Sequence, residues 1–236
     1  MAAIADLRRA ASERETADAA RYREMVDYYT AWVHQIKTPI AAMRLTLQPD
    51  DTPNARRLMS QLLRIEQYVD MVLMYLRLDE GTSDYVIRAC DLDGIIRQSL
   101  RKFAGEFIDR KLTLHYEPLH LSVVTDEKWL GFVVEQVLSN ALKYTPAGGR
   151  IRIYGDGETL VIADSGIRIR PEDLPRVFEK GFTGYNGRED KKSTGIGLYL
   201  CRRVMDRLNH GISIVSRPGQ GTLVRLDLSR GRRVVE

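Results

Sequence analysis

The strongest constraint on the fold is a pair of apolar repeats in the first third of the chain. Between residues 22 and 47 the steps are three or four residues, which predicts an amphipathic helix; the positions are Met25, Tyr29, Trp32, Ile36, Ile40, Met43 and Leu47. A second repeat alternates steps of four and three, a rhythm typical of coiled coils; it comprises Leu58, Leu62, Ile65, Val69, Val72 and Leu76. The segment QPDDTPN between them is rich in turn-forming residues, so a helical hairpin is predicted.

Two helices cannot cover both apolar faces by packing on each other alone. Pairing with a second copy would complete a four-helix bundle, so we expect a homodimer that forms through the hairpin. The alternative is that the hairpin packs against the rest of its own chain. Thr52 or Asn54 is placed to cap the second helix, Pro53 lies early in it, and Gly81 is placed to end it.

Beyond the hairpin, short strands are mixed with helices. The segments YVIRAC, LTLHYE, LSVVT, ISIVS and TLVRLDL are predicted strands, and 92–110, 127–144 and about 196–209 are predicted helices. RIRIYGDGETLVIAD is predicted to form a β-hairpin that turns through Asp156 and Gly157. This mixture predicts an α+β fold in which helices cover one face of a mixed sheet. The expected domains are a helical hairpin over 1–80 and an α/β sandwich over 84–233.

Composition excludes several classes of protein. No apolar run approaches the roughly 20 residues that span a bilayer, and the amino-terminal segment is too charged for a signal peptide. Cys90 and Cys201 are too few and too isolated for a disulfide framework or a zinc site. The net charge is +4, but Lys and Arg are spread along the chain without interleaved aromatic residues, so no nucleic-acid partner is expected.

One face of the predicted helix 127–144 carries polar side chains that suit a magnesium–phosphate site. Gln136, Asn140 and Lys143 follow one another in steps of four and three and therefore share a face. An amide oxygen is a suitable ligand for a hydrated Mg²⁺ ion, and a nearby lysine offsets phosphate charge. The alternative is a solvated polar face without a ligand.

Asp164 ends a predicted strand and is followed by Ser165 and Gly166. A carboxylate there could accept a hydrogen bond from the exocyclic amine of a purine, and Gly166 would let the backbone approach the ring. Asp-x-Gly alone is weak evidence, because it is common in ordinary turns.

Gly195 and Gly197 open the helix predicted near residue 196. Free N–H groups and the positive end of the helix dipole make such a helix start suitable for a phosphate group. A plain transition from loop to helix is the alternative, since a lone Gly-x-Gly is a weak signal. The preceding loop, 180–194, is long enough to be a lid; its basic residues are Lys180, Arg188, Lys191 and Lys192.

The order of these segments resembles the nucleotide-binding domain of bacterial sensor histidine kinases. QVLSNALKYTP, DSG, VFEKGF, TGIGL and GQGTLVRLDL stand where that family keeps its nucleotide-binding motifs, and the resemblance covers about residues 84–230. It implies the α/β sandwich of the GHKL (Bergerat) type, which binds ATP with Mg²⁺ held by Asn140. The implied nucleotide-binding residues are Asn140, Lys143, Tyr144, Asp164, Gly166, Ile169, Phe178, Lys180, Thr194, Gly195, Ile196, Gly197 and Leu198.

The hairpin resembles the dimerisation and phosphoacceptor domain of the same family. HQIKTP resembles its H box, in which histidine is usually followed by an acid, any residue, a base, threonine and proline. His34 is expected to face solvent and to attack the γ-phosphate of ATP, with Thr38 one turn on positioning water for dephosphorylation. Pro39 is expected to loosen the helix locally. Without the second domain, His34 would be read as an ordinary surface histidine; the remaining histidines are interpreted as structural: His115, His120 and His210.

The chain departs from the family pattern at four positions. Gln35 stands where an acid usually takes the imidazole proton, and an amide cannot accept that proton at neutral pH. Arg168 replaces the second glycine of Asp-x-Gly-x-Gly, which restricts backbone approach to the ring. Thr183 stands where many members have an arginine, a role open to Lys180 or Arg188. Gln136 replaces the glutamate base of related ATPases, which suits transfer to a side chain rather than to water.

A narrower resemblance, carried by WVHQIKTPI and EKGFTGYNGREDKKSTGIGLYL, is to the intramembrane-sensing kinases of Gram-positive bacteria that respond to cell-envelope antibiotics such as bacitracin. It implies a response-regulator receiver domain as partner, an ABC transporter as a further partner, and two membrane helices ahead of residue 1. The fragment would then be the cytoplasmic portion of a bacterial membrane protein. The alternatives are a catalytically impaired nucleotide-binding scaffold and a Ser/Thr kinase of the same nucleotide fold.

Overall fold

The computed structural model describes residues 2–79, 85–184, 194–217 and 219–229. The chain divides into two compact units, Met1–Ser83 and Asp84–Glu236. The predicted lid residues Arg188, Lys191 and Lys192, and the predicted helix end at Gly81, lie outside the described residues.

The first unit is an antiparallel pair of helices, α1 (Ala2–Leu47) and α2 (Pro53–Asp79). The turn predicted at QPDDTPN separates them, and the Thr52 hydroxyl accepts a hydrogen bond from Ala55 N at 3.1 Å, so Thr52 caps α2. Helix α1 continues through Pro39. A salt bridge between Lys37 and Asp70 (Nζ–Oδ1 2.6 Å) joins the two helices.

The predicted apolar line of α1 is only partly the buried one: Ile40 is buried, and Tyr29, Ile36 and Leu47 are partly buried. Val26, Val33 and Ile40, spaced by seven, are the buried positions, whereas Met25, Trp32 and Met43 stay exposed. In α2 the predicted line divides in two. Its buried half packs in the hairpin and comprises Leu62, Val69 and Leu76; its exposed half comprises Leu58, Ile65 and Val72. Each helix therefore has two adjacent apolar lines, and the hairpin covers only one of each.

The second unit is a sheet covered on one face by helices. Its helices are α3 (Leu92–Lys102), α4 (Ala104–Asp109), α5 (Glu127–Tyr144) and α6 (Gly197–Arg207), with a 3₁₀ turn at Leu174–Arg176. Its strands are β1 (Arg88–Asp91), β2 (Thr113–Tyr116), β3 (Ser122–Thr125), β4 (Arg150–Asp156), β5 (Thr159–Asp164), β6 (Gly211–Arg217) and β7 (Gly221–Asp227). Five strands form a mixed sheet in the order β2-β4-β5-β7-β6, and β1 pairs with β3 separately. The predicted α+β class is confirmed.

The sheet has one face packed against helices and one face that no described helix covers, although Val161 and Ala163 of the central strand β5 are buried on that second face as well. Ile151 and Ile153 of β4 are fully buried, as are Leu160 and Ile162 of the paired strand β5, and these side chains face the helices. Because side chains alternate along a strand, Arg150 and Arg152 face the opposite side, where both are exposed. Helices therefore cover one face only.

Three predicted elements have different limits in the structure. The strand predicted at YVIRAC begins only at Arg88, because Val86 N donates to Asp126 Oδ2 at 2.8 Å instead of joining a ladder. The helix predicted over 92–110 is broken at Phe103, whose ring is buried and whose backbone (φ −100°, ψ 6°) leaves the helical region. The β4–β5 turn is one residue later than predicted, since Asp156 still pairs with Thr159.

Candidate functional site

The candidate site lies where the end of β5 meets the helices α5 and α6. Most of the sequence-predicted binding residues fall on three neighbouring segments. Asn140, Lys143 and Tyr144 are in the last turns of α5; Asp164, Gly166 and Ile169 are at and after the end of β5; Thr194, Gly195, Ile196, Gly197 and Leu198 lead into α6. Phe178 and Lys180 follow the 3₁₀ turn, Phe178 partly buried and Lys180 exposed.

The carboxylate of Asp164 is buried and held by backbone N–H groups. Its Oδ1 accepts hydrogen bonds from Gly166 N at 2.8 Å and from Thr222 N at 3.3 Å. Oδ2 accepts none from the described part of the chain. Burial raises the pKa of the Asp164 carboxyl to about 6, although the two N–H groups act to lower it. One oxygen is thus fixed by the protein, and the other is left to accept a hydrogen bond from a ligand.

Gly166 permits the closest approach in the site. A Cβ placed there would lie 2.5 Å from the carbonyl oxygen of Tyr144, the last residue of α5. The same carbonyl accepts a hydrogen bond from Ile167 N at 3.0 Å. Any side chain at position 166 would therefore separate the loop after β5 from the end of α5. The packing of this loop against α5 is enough to explain why residue 166 is a glycine. The approach of a ligand's ring is not needed for that explanation.

The start of α6 packs directly on α5 through Gly197. A Cβ at Gly197 would lie 2.4 Å from Nε2 of Gln136, so the glutamine amide occupies the space that a side chain would need. Asn140 lies one turn further along α5 and is partly buried. No side chain of the described segments caps the first turn of α6, so within them its N–H groups are left to water or to an anion.

Both ends of the long predicted loop meet at this place. Gly181 N donates to Gly195 O at 3.0 Å, and Gly195 has a positive φ of 67°. A Cβ at Gly195 would lie 2.5 Å from the carbonyl carbon of Gly181, so glycine is required there on two grounds. The loop between them is therefore closed at its base beside the start of α6.

Sequence reasoning missed Thr222 and Ser216. Thr222 N binds Asp164, and Ser216 Oγ accepts a hydrogen bond from Ile169 N at 3.0 Å while lying 3.1 Å from Thr222 Oγ1. The signal was present in GQGT, because a Cβ at Gly221 would lie 1.8 Å from Asp164 O. The glycine allows β7 to approach β5 closely enough for this contact.

The donor set suits a nucleotide and a hydrated magnesium ion. No group of three or more His, Cys, Asp or Glu gathers as a metal cluster within the described segments. A single amide at Asn140 fits Mg²⁺, which keeps most of its waters and binds phosphate oxygens. The open Oδ2 of Asp164 fits an amine donor, and the uncapped start of α6 fits phosphate.

The predicted phosphoacceptor His34 and its neighbours Gln35 and Thr38 belong to the other unit. His34, Gln35 and Thr38 are exposed on α1, while the neighbouring Val33 is buried against the hairpin and orients this face outward. Thr38 Oγ1 donates to the His34 carbonyl at 3.1 Å. In the described residues no helix is long and apolar enough to cross a membrane.

Comparison with known proteins matches both units. Residues 125–232 match the family described as histidine kinase-, DNA gyrase B-, and HSP90-like ATPase. Sensor histidine kinase YxdK of Bacillus subtilis (strain 168) is 34% identical over 215 residues, covering 87% of this chain and 65% of that protein. Sensor protein BceS of the same strain is 33% identical over 219 residues, covering 88% and 65%. Sensor histidine kinase GraS of Staphylococcus haemolyticus (strain JCSC1435) is 36% identical over 200 residues, covering 82% and 58%.

Solved structures support the fold. Full-length ShkA in complex with AMPPNP aligns with a TM-score of 0.58 at 20% identity, covering 86% of this chain and 45% of ShkA. The Acinetobacter baumannii histidine kinase AdeS aligns with a TM-score of 0.56 at 18% identity, covering 84% and 98%. The chain spans less than two thirds of the length of YxdK, BceS and GraS.

We predict that Asp164→Asn stabilises the protein at pH 8 and not at pH 4. The folded-state pKa of Asp164 lies above the unfolded value of about 3.9, so wild-type stability falls as pH rises from about 4 to the folded value of about 6. Asparagine keeps an oxygen for the two N–H groups and removes the buried charge. Urea unfolding should show a gain of about 3 kcal/mol at pH 8 that fades to zero near pH 4. Glu117→Gln, at an exposed carboxylate, should show no such window; a gain that does not depend on pH would contradict the assignment.

We also predict strong coupling between positions 197 and 136. Gly197→Ala should destabilise the wild-type protein by about 1–3 kcal/mol, because the methyl group overlaps the Gln136 amide. In a Gln136→Ala background the same change should cost little or stabilise, since alanine favours helix over glycine by about 1 kcal/mol. A double-mutant cycle of unfolding free energies measures the coupling. Additive effects would show that the two side chains do not compete for this space.

Proposed function

Since this chain belongs to the sensor histidine kinase family, we propose that it is an ATP:protein-histidine phosphotransferase core. It autophosphorylates on His34 and passes the phosphoryl group to an aspartate of a response-regulator receiver domain. The observation that carries the proposal is the junction of Asp164, Gly166 and the start of α6, which offers an amine acceptor and an anion site on adjacent elements. We propose a phosphatase role as well, with Thr38 positioning water.

We propose that the following contacts hold the nucleotide. The adenine amine donates to Asp164 Oδ2, and the phosphates lie at the start of α6, where Gly197 and Leu198 present backbone N–H groups. Lys143 and Lys180 are proposed to offset phosphate charge. The remaining proposed nucleotide contacts are Tyr144, Gly166, Ile169, Phe178, Thr194, Gly195 and Ile196. Asn140 is proposed to hold Mg²⁺, which would neutralise charge on the β- and γ-phosphate oxygens.

His34 has the properties of an accessible nucleophile. His34 is exposed because the neighbouring Val33 is buried and orients this face of α1 outward. The Thr38 hydroxyl donates a hydrogen bond to the backbone carbonyl of His34 and not to its imidazole. In the proposed transfer Nε2 forms a bond to the γ-phosphorus, the bond to the ADP oxygen breaks, and the Nδ1 proton is released. Gln35 is an exposed amide that cannot take this proton. We propose that water, a phosphate oxygen or another carboxylate takes it.

The apolar lines left open on the hairpin support a homodimer. Ile65 and Leu58 are each 44% exposed and Val72 is 42% exposed, at heptad spacing, and Trp32 and Met43 are exposed on α1. A second hairpin packed on these lines would complete a four-helix bundle. We propose this bundle as the dimer interface.

We propose that this chain is part of a longer protein, and the remaining proposals concern that protein. We propose that it belongs to a membrane protein of the bacterial cell and that this chain is on the cytoplasmic side. An ABC transporter is proposed as a further partner through membrane segments. These rest on the similarity to YxdK, BceS and GraS, and not on any contact in this chain.

The function is tested by incubating the protein with γ-labelled Mg-ATP. The wild type should acquire acid-labile, alkali-stable label, and His34→Gln should acquire none while keeping the wild-type unfolding midpoint, because residue 34 is exposed. Thr38→Ala should retain labelling and lose dephosphorylation of the partner regulator. His115→Gln is a matched control at an exposed histidine and should label normally.

Three results would overturn this function. Label that persists in His34→Gln would move the phosphoacceptor elsewhere. Nucleotide binding without any label, in the wild type with its membrane segments restored, would leave a signalling scaffold as the activity. Acid-stable label on an added protein would indicate a Ser/Thr kinase instead.

Dimerisation is tested by Ile65→Asn. Sedimentation equilibrium should show a dimer for the wild type and a monomer for Ile65→Asn, because the amide would be buried without partners at the interface. Arg57→Asn, also exposed on α2 but outside the apolar lines, should remain dimeric. A wild type that stays monomeric at high concentration would contradict the proposal.

A further inference from the structure

The open face of the five-stranded sheet carries three exposed arginines. Arg150 and Arg152 are on β4 and alternate with Ile151 and Ile153, which face the helices. Arg217 ends β6 at the opposite edge of the sheet and is also exposed. All three therefore project from the face that no described helix covers.

Strand register gives the spacing of these arginines. Arg152 pairs with Ala163 of β5, Ala163 with Leu223 of β7, and Leu223 with Val215 of β6. Arg217 lies two residues beyond Val215, so it is separated from the two arginines of β4 by three strand spacings, about 14 Å. The arginines are thus spread across the sheet and do not converge on one point.

These arginines have no acidic partner in the described segments. A fourth arginine on the same face, Arg225, is paired with Asp156 at 2.7 Å and crosses β5 to reach it. For Arg150, Arg152 and Arg217, by contrast, the described chain provides no carboxylate at ion-pair distance. The charge of this end of the face is therefore uncompensated.

Apolar and aromatic side chains lie beside the arginines on the same face. Val215 is 45% exposed, and Leu223 and Tyr154 are partly exposed. The guanidinium of Arg152 lies over the Tyr154 ring, 5.8 Å from Cζ to the ring centroid. The surface thus combines cations with side chains that favour an interface between water and an apolar phase.

We propose that this sheet face docks on a bilayer surface of anionic phospholipids. A flat face with dispersed, unpaired arginines can contact several headgroups at once, whereas a peptide carboxylate would need the arginines to converge. Basic residues near an anionic leaflet each add to the attraction, and Tyr side chains prefer the headgroup level. The inference rests on the proposed function only in placing the protein at a membrane.

The test is co-sedimentation of the full 236-residue protein with vesicles. Vesicles of phosphatidylglycerol and phosphatidylcholine should bind the wild type, and vesicles of phosphatidylcholine alone should not. Binding should be lost in 1 M salt, where the screening length falls to about 3 Å. The triple variant Arg150→Gln, Arg152→Gln, Arg217→Gln should bind at least about tenfold more weakly.

A second triple variant separates this face from general charge. Arg101→Gln, Lys111→Gln, Lys128→Gln removes the same charge from exposed positions of the same unit and should bind like the wild type. Equal losses in the two triples, or no binding of the wild type to the anionic vesicles, would overturn the proposal. If the wild type ignores vesicles but binds polyglutamate through these arginines, the partner is an acidic protein instead.

Two further measurements make the outcomes distinct. Unfolding midpoints of both triples should match the wild type, because all six side chains are exposed. Labelling from γ-labelled Mg-ATP without vesicles reports the proposed kinase activity on its own. A wild type that binds vesicles but takes no label would remove the kinase proposal and leave the docking face intact, and the reverse result would do the opposite.

Discussion

The buried carboxylate of Asp164 is the constraint on which the second unit depends. Its Oδ1 joins Gly166 and Thr222, which are 56 residues apart in the chain, and so ties the loop after β5 to the start of β7. Both contacts require a neighbouring backbone to come unusually close, which is possible because positions 166 and 221 are glycines. A charge held in this way lowers stability above pH 6 and keeps one oxygen ready for a ligand.

Helix α5 is the common wall for these contacts. Its last carbonyl, at Tyr144, receives the loop after β5, and Gln136, two turns earlier, receives the start of α6. Asp126 caps the other end of the helix by accepting from Lys128 N and Trp129 N. The helix is therefore fixed at its start and contacted along the face that carries Asn140, so the amine acceptor and the anion site are positioned by one rigid element.

The apolar pattern of the sequence predicted the limits of a helix well where a single periodicity ran through the whole segment. Helix α5 has the predicted limits, 127–144, because its apolar residues are continuous and Asp126 supplies a cap. The helix over 92–110 was predicted in one piece, since periodicity does not register that Phe103 leaves the helical region to bury its ring. The line predicted on α1 was only partly the buried one because two apolar lines lie side by side, and sequence spacing alone does not tell which one faces α2.

The sequence was sufficient to single out the glycines and the carboxylate of the candidate site. It did not show the contacts that require these residues. Gly166 was expected to admit a purine ring, yet the structure uses it to pack against Tyr144 O, and Gly197 serves to admit the Gln136 amide. Thr222 donates a hydrogen bond to Asp164 through its backbone N–H. Because the side chain takes no part in this bond, the residue type at position 222 does not indicate it. Steric requirements of this kind appear only when distant segments are brought together.

Because side chains alternate along each strand, the same strands supply residues to two different faces of the sheet. Asp164 and Thr222 stand opposite each other on the inner face, whereas Ala163 and Leu223, one residue away on each strand, face outward. A substitution on the outer face therefore changes the surface charge without contacting the candidate nucleotide site. A substitution on the inner face alters that site without changing the charge of the outer face. The outer face and the candidate nucleotide site are on the same rigid sheet. Binding of a partner to the outer face would therefore fix the position of the nucleotide site without changing the geometry within it.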